Sequence, residues 1–365
     1  MEVIKIPYKE TNHFSKLVLD YLANDPKLKS FINDFPSLDS FSTQITQKSF
    51  QNIDRIALHK VLKNQNLNPS KETLKNIDAI KDENTFSITT GHQLCLFTGP
   101  LYLIYKIAST INLVETLKVK FPENNFIPIF WLASEDHDFE EVSSINLFNK
   151  KIKWSTKQKG AVGKMNTTDV NVLIDQIKEI LGESGNSVDL ISLFKKAYTN
   201  NNLAQATRII LNKLFGEYGL VIIDADSKVL KNKLIDIIKK DVLKSDLFND
   251  INKISEEFSA HYKLQAKPRE INFFRIKNNS RVRIDEKTSS NDIENNFFEY
   301  SPNVLLRPLY QELLLPNLAY VGGGAEISYW MLLKQVFKNN NIVMPLLILR
   351  NSALIMTAKN QKKIN

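Results

Sequence analysis

One cysteine, Cys95, is all that the 365 residues contain, and a lone thiol excludes both an intramolecular disulfide and a zinc centre built on this chain's thiolates. No apolar run approaches the roughly 18 residues that a membrane-spanning helix requires, so no membrane partner is expected. The opening "MEVIKIPYKETNHF" has neither the apolar stretch nor the small-residue cleavage site of a secretory leader, and the cytoplasm is the expected location. Neither the G-x-x-x-x-G-K-[ST] loop nor the G-x-G-x-x-G turn occurs, so glycine spacing implies no nucleotide. Internal repeats and low-complexity tracts are missing as well; only a bias toward asparagine and lysine stands out. The net charge is +8, yet the lysines are scattered among asparagines and acids instead of gathering in blocks. That distribution argues against a nucleic-acid partner and for a small anionic substrate.

Hydrophobic residues make up 43% of the chain and aromatic residues 10%, enough for one large core or two smaller ones. Residues 1–84 read as short amphipathic helices separated by "NDFPSLDS" and "NLNPSKET", a helical flank to the rest of the chain. From Thr85 the pattern becomes strand, loop, helix: "TFSITT", then "GHQLCLFTGP", then "LYLIYKIASTINLVETLKVK". Pro100 suits a first helical turn, and Gly99 lets the backbone come close to a ligand. "NNFIPIFWLA" reads as a strand buried on both faces, as a parallel sheet requires, and it runs into the acidic "SEDHDFEE". A hairpin-like interval, "SSINLFNKKIKWSTKQKGAVGKM", precedes helical periodicity from Thr168 to Phe215. Another short strand, "GLVIIDAD", leads into lysine-rich helices reaching about Gln265. "INFFRIKNNSRVRID" predicts a hairpin turning at Asn278, Asn279 and Ser280, and "SSNDIENN" a polar loop. The tail returns to strand, loop, helix and strand in "PNLAYV", "GGGAE", "ISYWMLLKQVFK" and "NIVMPLLILR". Strands alternating with helices predict an α/β fold with a doubly wound parallel sheet.

In such a sheet, ligands sit beyond the carboxyl ends of the strands, near the point where strand order reverses. "TTGHQLCLFTGP", "SEDHDFEE" and "GGGAE" all fall at predicted strand ends, and one crevice is expected to collect them. His137 lies between Asp136 and Asp138, with Glu135, Glu140 and Glu141 close by, an imidazole set among carboxylates and suited to moving a proton. The same acids could instead cap backbone N–H groups at the strand end. A metal reading would rest on Asp-His-Asp spacing alone, with no second histidine tied to it, and no metal is assigned. The glycines of the other two segments suit an anion at a helix N-terminus, or serve only as tight turns. Lys106, Arg307 and Arg350 are candidate anion ligands; their rivals are a solvated helix lysine and structural ion pairs. Both arginines follow strand-like apolar runs. Cys95 reads as a buried small hydrophobe, and Trp131, Trp154 and Trp330 as core residues.

Taken together, "TTGHQLCLFTGPLYLIYK", "FWLASEDHDFEE", "RPLYQELLLPNLAYVGGGAEISYW" and "MPLLILRNS" resemble, in this order, the bacillithiol-biosynthesis cysteine-adding enzymes, the BshC family. The resemblance implies a Rossmann-like core whose first half is 85–148 and whose second half is 301–365. The helices of 1–84 flank this core, and helical and hairpin connecting insertions, with part of the core, occupy 149–300. It also implies a ligase that adds L-cysteine to the amine of glucosaminyl-malate, the last step of bacillithiol formation, with ATP as the candidate activator of the cysteine carboxyl. Carried onto the matching blocks, substrate contacts fall at Thr90, Gly91, His92, Gln93, Gly99, Tyr102 and Lys106 in the first. The third block supplies Arg307, Gln311, Gly322, Gly323, Glu326 and Tyr329, and the fourth supplies Arg350. Catalysis falls to His137, which takes the proton of the attacking amine, with Glu135, Asp136 and Asp138 beside it. His92 stands where the family more often has glutamine, and Gly324 where proline is common. Full-length members continue past "RNS" into a coiled coil that forms a homodimer; that region is expected beyond Asn365, so the chain reads as C-terminally truncated. The residues alone leave two rivals, a nucleotidyltransferase acting on another small anion and an RNA-binding module using the basic surface.

Overall fold

The computed structural model describes residues 3–277, 280–284, 288–356 and 360–362. Strand β1 (Thr85–His92) and strand β2 (Asn125–Leu132) pair in parallel along their whole lengths, from Thr85 opposite Asn125 to His92 opposite Leu132. The helix Tyr102–Lys120 carries the chain from one to the other. Every residue of β2 after Asn125 is buried, and its side chains alternate between two faces. Ile127, Ile129 and Trp131 enter a core with Leu58, Leu62, Ile77 and Trp330, whereas Phe130 and Leu132 enter a second one with Ile107, Leu173 and Leu211. A strand covered on both sides has no polar face, which is why it reads as a continuous apolar run. Each fully buried large side chain here contributes about 1.5–3 kcal/mol.

The chain then forms the hairpin of β3 (Ser144–Leu147) and β4 (Lys150–Lys153) and three helices, Asn171–Leu181, Gly185–Tyr198 and Leu203–Phe215. It returns to the sheet as β5 (Val221–Asp224), parallel to β2. A second excursion contains a three-stranded antiparallel sheet in the order β7-β6-β8, built from β6 (Phe273–Lys277), β7 (Ser280–Arg283) and β8 (Tyr300–Pro302). Of the expected turn, Asn278 and Asn279 lie outside the described residues and Ser280 opens β7. Finally β9 (Asn317–Gly322) joins the free edge of β1, and β10 (Leu346–Leu349) joins β9. The order β10-β9-β1-β2-β5, all parallel, is that of a doubly wound, Rossmann-like sheet, and it reverses between β1 and β9. Among the described residues no helix is long and apolar enough to cross a membrane.

Strand β1 buries Ser87, Thr89 and Thr90 at the centre of this sheet. Thr89 Oγ1 donates to Asn317 Oδ1 (2.8 Å) and Thr90 Oγ1 to the Val321 carbonyl (2.7 Å), so these two hydroxyls, having lost water, gain partners on β9. Two expectations need correction. "SSNDIENN" is not a loop: Ser289 accepts the Asp292 N–H (3.1 Å) and caps the helix Ser290–Asn296, whose Ile293 is fully buried. Arg307 does not end a strand; it opens the helix Arg307–Leu314, with Pro308 at an early position where its missing N–H costs nothing.

Asp241, on the helix Ile235–Lys244, is fully buried and accepts the Asn272 backbone N–H (2.6 Å) and side-chain Nδ2 (3.1 Å). Burial pushes its pKa from 3.8 up to about 7 against those bonds. Between these values the folded state holds a proton that the unfolded state has released. The stabilisation is therefore complete below about pH 3.8 and is lost as pH rises through about 7. We expect the urea midpoint to fall between pH 5 and pH 8, and Asp241→Asn to remove that part of the slope.

Candidate active site

A cleft of about 480 Å³ opens beyond the carboxyl ends of β1, β2, β5 and β9. It straddles the reversal of strand order, the place where doubly wound sheets receive ligands. All three strand-end segments reach it: Gly91, His92 and Gln93 from β1, Ser134 to Asp138 after β2, and Glu326 and Tyr329 on the helix Gly324–Met331 after β9.

The half near β1 and β9 is cationic. Lys106 is only 5% exposed; its ammonium donates to the Gly91 carbonyl (2.9 Å) and pairs with Glu326. Burial pulls Lys106 below the usual lysine range, with Glu326 opposing. Burial would raise Glu326, but Lys106 and the Gly323 N–H, 2.9 Å away, outweigh it and hold the carboxyl below its ordinary value. Arg307 sits among the rings of Trp131, Tyr320 and Trp330, whose centroids lie 5.7, 5.3 and 5.8 Å away. Its Nη1 donates to Gln311 Oε1 (2.9 Å). Its buried Nη2 lacks an acceptor of good geometry among the described residues, and the Tyr329 phenol is its polar neighbour. His92 Nδ1 accepts the Gln93 N–H (2.9 Å), which assigns the proton to Nε2, an atom also buried without a partner among the described residues. Burial, followed by the Lys106 charge, pushes this imidazole down to about 4, so it is neutral at pH 7. Two buried donors without acceptors beside a lysine are what a carboxylate or phosphate would satisfy.

The half near β2 and β5 is acidic. Lys231, fully buried, ties Glu135 (2.5 Å) to Asp226 (2.8 Å), and Lys164 reaches Asp226 from outside (2.8 Å). Burial, reinforced by the Asp226 charge, raises Glu135 above its ordinary value, with Lys231 opposing. Burial also acts to raise Asp226, but the two lysines hold it below its ordinary value. Asp136 Oδ1 accepts the N–H groups of His137 (2.7 Å) and Asp138 (3.3 Å), and its Oδ2 accepts Gln93 Nε2 (3.2 Å). Asp138 caps the short helix Phe139–Val142 by accepting the Glu141 N–H (3.4 Å). Both acids thus brace the loop as well as line the cleft. The His137 imidazole is half exposed, with Nδ1 3.4 Å from Arg281 Nη1 and 3.8 Å from Asp136 Oδ1.

Of the residues singled out in the sequence, Gly91, His92, Gln93, Lys106, Glu135, Asp136, His137, Asp138, Arg307, Glu326 and Tyr329 line the cleft. Thr90 serves the sheet through Val321. Tyr102 is exposed beneath Arg350, whose guanidinium lies 4.3 Å from the ring centroid. Gln311 is fully buried behind Arg307. The Gly322 carbonyl accepts the Arg350 N–H (2.9 Å), and the Gly323 N–H is spent on Glu326. Gly99 has φ of 58°, and a β-carbon there would lie 2.3 Å from Cys95 Cβ. Its role is the turn, so Gly99→Val should lower unfolding stability by more than about 1 kcal/mol, measurable in urea. Cys95 is buried, and burial pushes its thiol up to about 11.

Arg281, Asp226 and Lys231 were not legible as site residues. Arg281 reaches the cleft from β7, stacked over Phe274 (4.2 Å) and donating to Ser301 Oγ (3.0 Å) and the Pro302 carbonyl (2.6 Å); nothing in "SRVRID" signals this. The loop behind β2 is also held from the first excursion: Val162 N–H donates to the Asp136 carbonyl (2.7 Å) and Gly163 N–H to the Ser134 carbonyl (3.1 Å). A β-carbon on Gly163 would lie 2.6 Å from that Ser134 oxygen.

The family model described as "Bacillithiol biosynthesis BshC, N-terminal Rossmann-like domain" matches residues 1–351. A Flavobacterium psychrophilum protein named "Putative cysteine ligase BshC" is 45% identical over 381 residues, covering 98% of this chain and 71% of that protein. Its namesake in Flavobacterium johnsoniae is 44% identical over 379 residues, covering 98% and 72%. A more distant namesake in Bacillus cereus is 27% identical, covering 90% and 67%. Among solved structures, the tyrosyl-tRNA synthetase of Archaeoglobus fulgidus complexed with L-tyrosine covers 83% of this chain and 68% of its own at 12% identity, with a TM-score of 0.30. That likeness is too loose to bear on fold or ligand.

Proposed function

The chain belongs to the BshC family of cysteine ligases in bacillithiol biosynthesis, and from that premise we propose that it joins the carboxyl carbon of L-cysteine to the amine of glucosaminyl-malate, the last step of that synthesis, in the cytoplasm. The observation that carries this reading is the division of one cleft into electrically opposite halves. Lys106, Arg307 and His92 offer donors on one side, and Glu135, Asp136 and Asp226 offer carboxylates on the other. A ligand with a dicarboxylate at one end and an amine at the other suits such a cleft.

In this reading the malate carboxylates take Arg307 and His92, and the sugar amine lies toward Asp136 and His137. The amine arrives as an ammonium group and must lose a proton before its lone pair can attack. His137 accepts that proton, and Asp136 fixes the loop that carries it. The new C–N bond then expels the leaving group of the activated carboxyl, for which ATP is the proposed cosubstrate. Arg350, stacked on Tyr102 outside the cleft, is left without a substrate contact.

The test incubates the protein with glucosaminyl-malate and cysteine, with and without ATP, and weighs the product. A compound heavier than glucosaminyl-malate by one cysteinyl residue, formed only with ATP, is the expected result. Formation without ATP removes the activation step from the reading. Failure to form it under any condition, with both substrates recovered intact, overturns the ligase assignment.

A further inference from the structure

A buried chain of polar side chains runs from the N-terminal helices to Arg307, and its members do not touch the cleft. Gln311, Glu312 and Asn317 are fully buried, and Lys48, on the helix Leu38–Ser49, is 2% exposed. Lys48 Nζ donates to Glu312 Oε2 (3.0 Å). Glu312 Oε1 accepts both Gln311 Nε2 (2.8 Å) and Asn317 Nδ2 (2.7 Å). Gln311 Oε1, at the other end of its amide, accepts Arg307 Nη1 (2.9 Å). Gln51 closes the cluster, donating to the Glu312 carbonyl (2.7 Å) and accepting from Lys48 (3.2 Å).

An ion pair this deeply buried is a poor way to gain stability, since an apolar pair of the same volume does as well or better. Its chemical effect on Gln311 is specific. A carboxylate only accepts, so it fixes the amide with Nε2 toward Glu312 and the carbonyl toward Arg307. The carbonyl in turn occupies Nη1 and leaves Nη2 as a donor without an acceptor among the described residues. We propose that Gln311 and Glu312, anchored by Lys48, are positioning residues that set the orientation of Arg307 for a substrate carboxylate. This rests on the reading above, in which Arg307 binds that carboxylate.

The experiment is a double-mutant cycle on the protein with glucosaminyl-malate as varied substrate. Gln311→Met raises KM about ten- to a hundredfold, the range of a hydrogen bond to a charged group, with a smaller change in kcat. Arg307→Met has a similar or larger effect, and the pair together is no worse than Arg307→Met alone, because Gln311 acts only through it. Additive effects, or an unchanged KM for a folded Gln311→Met, overturn the proposal. Should Gln311→Met fail to fold, Gln311→Glu serves instead. It sets two carboxylates against each other and loses affinity, and adding Glu312→Gln regains it by conserving the charge and giving Arg307 a carboxylate acceptor. No recovery counts against the proposal. Should the wild-type protein make no ligation product, the assignment of function fails, and positioning is read separately from guanidinium nitrogen NMR. Slow rotation of the Arg307 terminal nitrogens that becomes fast in the Gln311 variant supports it; identical rotation in both sinks it.

Discussion

Alanine in place of His137 lowers turnover by about 10²- to 10⁴-fold, the usual contribution of a general base, and leaves the melting temperature within a few degrees. The second half of that expectation comes from the structure, because the imidazole is half exposed and its polar and ring partners among the described residues are Arg281, Asp136 and the Phe274 ring. Asp136→Ala should behave differently, since it strips the acceptor from two backbone N–H groups and from Gln93. It is expected to lose both turnover and stability. Near-normal turnover of His137→Ala would leave the imidazole as a rim residue, and the proton would have to go to Glu135 or to solvent.

Lys48→Met should destabilise the protein by about 3–5 kcal/mol at neutral pH, the cost of leaving a buried carboxylate without its counterion. Lys48 and Glu312 have no exposed side-chain surface, so water cannot take the place of the missing partner. Burial already raises the Glu312 carboxyl, with Lys48 the largest opposing influence. Without Lys48 it is raised further, and an acid raised in the fold loses stability as pH increases. The deficit is therefore larger at pH 8 than at pH 5. Adding Glu312→Gln removes the stranded charge, keeps an acceptor for Gln311, and should recover most of the loss. Urea unfolding at the two pH values checks both statements; a deficit independent of pH would mean that lost packing, not charge, is responsible.

The parallel sheet was legible because β2 and β9 are covered on both faces and therefore carry uninterrupted apolar runs. The strand ends were legible because glycines and acids interrupt those runs where the chain leaves the sheet. Burial of Lys106 was not, since one lysine on a helix looks the same whether it meets water or Glu326. The acidic stretch both caps backbone N–H groups, as one of its readings expected, and lines the cleft, because a carboxylate has two oxygens and Asp136 uses both. Arg281 and Lys231 were missed for a different reason. Their partners lie 144 and 96 residues away, and local periodicity carries no information about such encounters. "SSNDIENN" failed on composition: a polar surface hid one buried side chain, Ile293, and a serine cap.

The hydrogen bonds from Val162 and Gly163 to the carbonyls of Asp136 and Ser134 bear on recombination among family members. A crossover that takes 134–136 from one parent and 160–164 from another inherits two halves of one backbone contact, in which a methyl group on Gly163 has no room. Chimaeras should therefore survive where both segments come from the same parent and fail where the incoming segment replaces Gly163, although both stretches read in sequence as spacers between strands.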